Sequence, residues 1–219
     1  MYLYDHLLQR AAENKPVRVG LIGAGKFGSM FLSQVPTTPA LSVSVIADLY
    51  PDRARAACEA VGWPESLIAA TNFTDDAGAM MTSGAVDVVV EATGTPVTGI
   101  RHARQAIQNG LHIVMVNVEA DVLAGAALAA EARQAGVVYS MAYGDQPALT
   151  IEMIDWARAT GFEVVAAGKG TKYLPSYHSS TPDTVWDHYG LTAAEAHACL
   201  LYTSPSPRDA TLSRMPSSA

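Results

Sequence analysis

Three glycines, Gly23, Gly25 and Gly28, stand at the spacing G-x-G-x-x-G. They lie between a short apolar run at residues 17–22 and an apolar stripe of helical period, Phe27, Met30, Phe31 and Leu32. Glycines at this spacing can hold a pyrophosphate. The first permits a tight turn out of a strand, the second lets main chain approach the phosphates, and the third lets a helix pack close to the strand. The anion then sits at the helix N-terminus, where unpaired N–H groups and the helix dipole favour negative charge. Lys26 and Phe27, inside the motif, are expected to line the same site. The spacing alone is a weak signal, because glycine-rich turns are common. Its context strengthens it: a second apolar run, residues 41–47, ends at Asp48. That is about 20 residues beyond the motif, where a dinucleotide fingerprint expects an acid to hold the ribose hydroxyls. The bland alternative is a turn of the same shape that binds nothing.

These residues need a scaffold, and the chain offers apolar runs that alternate with helical stretches. Residues 2–14 read as a short amphipathic helix, ended by Lys15-Pro16. Pro36 and Pro39 bracket a breaker cluster. Pro51 suits the first position of an alanine-rich helix that runs to Val61 and is closed by Gly62-Trp63-Pro64. Thr74-Asp75-Asp76 cap a helix ending near Gly84. Residues 85–92 carry a near-continuous valine run, which indicates a central parallel strand buried on both faces. A helix at 96–109, a strand at 111–116, a helix at 122–135, a strand at 137–141, a helix to Thr160 and a last strand at 162–167 follow. This alternation predicts an α/β fold with a doubly wound parallel sheet.

Ligands of such sheets lie beyond the carboxyl ends of the strands. That rule gathers residues 91–96, 117–121, 143–146 and 168–172 around one cleft. A nicotinamide is expected against Thr93, Gly94 and Asn117. Such a cofactor carries the hydride chemistry, and the protein must orient a substrate and manage one proton. Candidates for the proton, and for polarising a carbonyl, are Lys169, Lys172, Glu119 and Asp145. Burial or a second cation can bring a lysine toward neutrality. Each candidate also has a plainer reading, the lysines as surface loop residues, Glu119 and Asp121 as helix caps. Glu91 is expected to be a structural anchor accepting backbone N–H groups. Arg53 and Arg55, on the helix after Asp48, are expected to be solvated. His112 reads as structural. The six histidines, with Cys58 and Cys199, show no metal-ligand spacing, so no metal is expected.

At 219 residues the chain holds one or two domains. Its 49% hydrophobic and 16% charged residues suit a buried α/β core rather than disorder. A net charge of −7 without a basic run argues against nucleic acid and anionic membrane as partners. No apolar run has the length of a membrane span. The first fifteen residues lack a signal-peptide pattern, and two cysteines give no disulfide framework. A cytoplasmic location is therefore expected.

Val-Asp-Val-Val-Val-Glu-Ala-Thr-Gly at residues 86–94 and Gly-Leu-His-Ile-Val-Met-Val-Asn at 110–117 resemble the NAD-binding domain of homoserine dehydrogenases. More closely, Met-Val-Asn-Val-Glu-Ala-Asp-Val, Tyr-Gly-Asp-Gln-Pro-Ala and Ala-Ala-Gly-Lys-Gly resemble a homoserine-dehydrogenase-like oxidoreductase family. Its members carry a C-terminal SAF domain, and it includes deoxyxylulose-phosphate-reductoisomerase-like enzymes that work with NADPH. The resemblance extends over residues 3–198. It implies an NAD(P)-dependent oxidoreductase that moves a hydride between nicotinamide and a small hydroxyl or carbonyl substrate, self-associated when full length. Two departures matter. Homoserine dehydrogenases carry Asn-Lys where this chain has Asn117-Val118, which argues against homoserine. Asp48 would repel the 2′-phosphate of NADP and accept the 2′-hydroxyl of NAD, so NAD is favoured. The alternatives are a sugar or inositol dehydrogenase of the Gfo/Idh/MocA kind, whose Glu-Lys-Pro triplet is missing here, and a non-catalytic dinucleotide-sensing domain.

The expected organisation is an N-terminal helix at 1–16, a dinucleotide-binding domain at 17–167, the start of a substrate domain at 168–198 and a tail at 199–219. Residues 200–219 hold five serines and three prolines. Leu-Leu-Tyr-Thr-Ser-Pro-Ser-Pro-Arg-Asp is similar to translated sequencing-adapter text. The natural protein is accordingly expected to continue past about residue 198 and to be cut short here.

Overall fold

Alternating apolar runs become one parallel sheet. A computed structural model describes residues 3–143, 146–168, 175–179, 181 and 184. The chain divides into two compact units, Met1–Ala142 and Tyr143–Ala219. In the first, the strands are β1 (Val17–Ile22), β2 (Leu41–Ala47), β3 (Asn72–Thr74), β4 (Val88–Glu91), β5 (His112–Met115) and β6 (Tyr139–Met141). They pair in the order β3-β2-β1-β4-β5-β6, all parallel. The order reverses between β1 and β4, and ligands of open α/β sheets bind at such a switch point.

The helices of this unit are α1 (Leu3–Ala12), α2 (Lys26–Gln34), α3 (Pro51–Ala60), α4 (Glu65–Ala70), α5 (Ala77–Thr82), α6 (Pro96–Gln108) and α7 (Val118–Ala135). Side chains alternate across a strand, so the sheet needs two apolar layers. On one face Val19, Leu21, Val43, Ile46 and Val90 pack with Leu32 of α2 and Ala54 and Cys58 of α3. On the other, Ile22, Val45, Val89, Ile113 and Met115 pack with Met80 of α5, Ala103 of α6 and Leu128 of α7. Burial pushes the Cys58 thiol up to about 11. The buried Trp63 indole N–H donates to the Leu32 carbonyl at 2.7 Å and ties α2 to the turn before α4.

Two expectations are corrected. Residues 162–167 form no strand: they are irregular, and all but Val164 are exposed. An apolar run becomes a strand only when another strand accepts its ladder. Helix α7 begins at Val118 rather than 122, because Asn117 caps it. Arg53 and Arg55 are exposed, as expected, and each also has a partner: Arg53 pairs with Asp48 at 3.3 Å, and Arg55 stacks on the Phe73 ring at 4.4 Å. Helix α4 and the short edge strand β3 were not anticipated; each has six residues or fewer, and neither shows a clear apolar period.

The second unit holds α8 (Gln146–Ala159) and a 3-10 turn at Pro175–Ser179. Within it the Tyr143 hydroxyl donates to Glu152, which raises the phenol above its ordinary range. Among the described residues no helix is long and apolar enough to cross a membrane.

Candidate functional site

The turn leaving β1 is made of main chain. Gly23 has φ +93°, a conformation that L side chains rarely adopt, and its N–H donates to the Ala47 carbonyl at 2.8 Å. Gly25 is the N-cap of α2, with no side chain bonding the first-turn amides and no acid in that turn. A Cβ on Gly25 would meet nothing within 4 Å. A Cβ on Gly28 would meet the Gly23 carbonyl oxygen at 2.4 Å, so only glycine lets α2 settle on the turn. Lys26 and Phe27 follow as exposed residues of the first helical turn. The arrangement leaves an open, unobstructed helix N-terminus, which suits a pyrophosphate.

Asp48 follows β2 and is buried. Its Oδ2 accepts from the Ala24 N–H at 2.9 Å, inside the glycine turn. Its Oδ1 accepts from the Tyr50 N–H at 3.0 Å and from Arg53 Nη2 at 3.3 Å. The Arg53 guanidinium also lies over the Tyr50 ring, 5.2 Å from its centre. The acid expected at the ribose therefore stands beside the phosphate turn and is bound to it. Arg53 is a site residue that the helix pattern did not reveal.

Across the switch point the turn after β4 is built from side chains. Glu91 is wholly buried, and its Oε1 accepts from the Thr93 hydroxyl at 2.5 Å and the Thr93 N–H at 3.4 Å. His102 Nδ1 lies 3.3 Å from the same oxygen. Glu91 thus anchors the turn through a backbone amide, as expected, and through the side chains of Thr93 and His102 as well. Gly94 is exposed at this turn. Asn117 is buried; its Nδ2 donates to the Thr95 carbonyl at 3.0 Å and its Oδ1 accepts from the Ala120 N–H at 3.0 Å. Both polar ends of Asn117 are engaged in shaping the cleft. Glu119 is half-buried in the first turn of α7, two positions beyond. Asp121 accepts from the Tyr139 hydroxyl at 2.7 Å instead of capping α7. Burial first, then Asp121, raises that phenol well above its ordinary range. His112 has the structural role expected, its Nδ1 accepting from the Val138 N–H at 3.0 Å.

Gly23, Gly25, Lys26, Phe27, Gly28 and Asp48 thus gather at the ends of β1 and β2, and Thr93, Gly94, Asn117 and Glu119 at the ends of β4 and β5. Lys169, Lys172 and Asp145 lie outside the described residues. Among the described residues no three His, Cys, Asp or Glu side chains are grouped to hold a metal ion.

A six-stranded parallel sheet in this order, with a glycine turn at its switch point, defines a Rossmann domain, a fold whose ligands lie at that point. The family described as "Oxidoreductase family, NAD-binding Rossmann fold" (Gfo/Idh/MocA) matches residues 17–143, more than half of the chain, and the chain belongs to that family. Residues 144–203 match "Oxidoreductase DRL, catalytic domain". No curated protein matches. Among solved structures, a homoserine dehydrogenase from Thiobacillus denitrificans is similar at 24% identity and TM-score 0.50, over 58% of this chain and 29% of its own. The WlbA dehydrogenase from Bordetella pertussis, solved with NADH and UDP-GlcNAcA, is similar at 21% identity and TM-score 0.51, over 67% and 43%. These two likenesses are of fold. The chain spans less than half the length of either protein. The family is the one expected as the alternative; the homoserine-dehydrogenase-like reading has a likeness of fold behind it. The missing Glu-Lys-Pro triplet misled, because the match extends over the whole first unit's sheet rather than one catalytic turn.

Proposed function

We propose that this chain is the cofactor-binding part, with the first stretch of the catalytic part, of a nicotinamide-dependent dehydrogenase or reductase of the Gfo/Idh/MocA kind. Its substrate is a small hydroxyl or carbonyl compound, of which sugars and polyols are the favoured class. The observation that carries this reading is the turn after β1, where α2 presents uncapped amides beside an open Gly25 and Gly28 admits no side chain. Once bound, the nicotinamide would accept or donate the hydride. The chain's own residues would do the rest. Gly23, Gly25, Lys26, Phe27 and Gly28 would hold the pyrophosphate, and Thr93, Gly94 and Asn117 would flank the nicotinamide.

Position 118 is valine, where a lysine would otherwise follow Asn117. The proton must then come from elsewhere. Lys169 or Lys172 would move it and polarise the carbonyl, with Glu119 and Asp145 the other candidates for these roles. The match of residues 144–203 to "Oxidoreductase DRL, catalytic domain" supports giving these lysines to the catalytic part.

Asp48 favours NAD. A carboxylate bound to the phosphate turn repels a 2′-phosphate, and the adjacent Arg53 only partly offsets it. Calorimetry with NADH and NADPH tests this. NADH should bind at least about tenfold tighter, a difference of about 1.4 kcal/mol. Asp48→Ser should narrow the gap. Tighter binding of NADPH to the unmodified chain would overturn the NAD preference.

A further inference from the structure

We propose that Glu91 is a positioning residue: with His102 it fixes the turn at residues 92–95 against the glycine turn, and so sets the nicotinamide end of the cleft. The inference rests on the nicotinamide reading above. Glu91 is 0% exposed and lies at the end of β4, where an apolar side chain would pack at no electrostatic cost. Burying a carboxylate is expensive unless hydrogen bonds and an opposite charge offset it. Here all the partners crowd one oxygen. Oε1 faces the Thr93 hydroxyl, the Thr93 N–H and His102 Nδ1, whereas Oε2 is buried and has no hydrogen-bond partner among the described residues. His102 Nδ1 can donate to Oε1 in the tautomer that carries its proton there. A carboxylate kept in this lopsided setting does something a hydrophobic residue could not.

What it holds is visible from its neighbours. Thr93 is tied to Glu91 at two atoms, and the Thr95 carbonyl is tied to Asn117 at 3.0 Å. Just before them, the Ala92 N–H donates to the Ile22 carbonyl at 2.8 Å. The Ala92 carbonyl oxygen lies where a Cβ on Gly23 would approach to 2.9 Å. The turn after β4 thus rests directly on the turn after β1. Gly99 completes the arrangement. A Cβ there would come to 3.1 Å from Oε2 and 3.0 Å from Asn117 Nδ2, so glycine lets α6 bring His102 down onto the acid. Glu91 is wholly enclosed and touches no ligand. It acts through Thr93.

The test is calorimetry on the 219-residue chain with two probes, NADH and ADP-ribose, which has the adenosine and pyrophosphate but no nicotinamide. Glu91→Ala should weaken NADH at least about tenfold, as loss of hydrogen bonds to a charged group implies. ADP-ribose affinity should stay within about twofold of wild type. Glu91→Gln keeps an acceptor for Thr93 and should recover most of the NADH affinity. His102→Ala, at a side chain that is 15% exposed, gives the same test should Glu91→Ala not fold, and should also weaken NADH selectively. Equal loss of both probes, or loss of neither, while wild type binds NADH, would overturn the inference and leave the function standing. A wild-type chain that melts cooperatively and binds neither probe would overturn both.

Discussion

The turns after β1 and β4 meet at the same switch point, yet they are made differently. After β1 the shape comes from main chain: a positive φ at Gly23, an uncapped helix end at Gly25, and Gly28 under the Gly23 carbonyl. After β4 it comes from side chains: Glu91, Thr93, His102 and Asn117 bond one another and the backbone around them. A turn made of backbone cannot give way, because the atoms that would clash are themselves the fold. A turn made of side chains can yield by a rotamer or a few tenths of an ångström. The pyrophosphate half of the cleft should therefore be brittle and the nicotinamide half adjustable.

Gly28→Ala should have the largest effect. Its Cβ would meet a carbonyl oxygen at 2.4 Å, so backbone must move. We expect a stability loss of about 1–3 kcal/mol by denaturant melt, together with loss of NADH binding. Gly99→Ala should be milder. Its closest contacts, at 3.0–3.1 Å, are all side-chain atoms, of Ala120, Asn117 and Glu91. Alanine also favours the helix over glycine by about 1 kcal/mol, so net stability should change by less than about 1 kcal/mol. NADH should weaken more than ADP-ribose. A Gly99→Ala loss equal to that of Gly28→Ala would break the comparison.

Asp87→Asn should have the smallest effect, and it separates stability from binding. Asp87 and Arg18 join β4 to β1 at the end of the sheet away from the cleft, with Arg18 Nε and Nη2 donating to the carboxylate at 3.0 and 2.5 Å. Hydrogen bonds from Arg18 hold the Asp87 carboxyl below its ordinary value of 3.8. A lowered folded-state pKa means the contribution is fully present above that value and fades as pH falls below it. Both groups are partly exposed, so solvent screens the pair. The variant should melt slightly earlier at neutral pH, converge with wild type in acid, and bind NADH unchanged.

The same contrast explains what was legible in the sequence. Backbone jobs leave a signature, because only glycine can do them; Gly23, Gly25 and Gly28 therefore marked the phosphate turn, and valine runs marked the central strands. Asp48 was legible by its distance from the glycines, though its bond to the Ala24 N–H was not. Side-chain networks leave no such mark. Glu91 and His102 sit eleven positions apart, and nothing in either residue alone reveals that they touch. Gly99, one turn before His102 in α6, was the available clue: a glycine inside a helix signals close approach. Residues 162–167 failed for another reason, since an apolar run carries no information about whether a neighbouring strand awaits it. The Gfo/Idh/MocA family stood as the alternative, because one missing Glu-Lys-Pro triplet weighed more than the pattern of a whole domain.

The glycine turn of this chain should hold a nicotinamide dinucleotide. Titrating the 219-residue chain with NADH, alongside a thermal melt of the same sample, tests it most directly. Saturable one-to-one binding that raises the melting temperature, and that Gly28→Ala abolishes, is the predicted result. A cooperative melt with no binding would contradict the claim and leave the turn as packing alone.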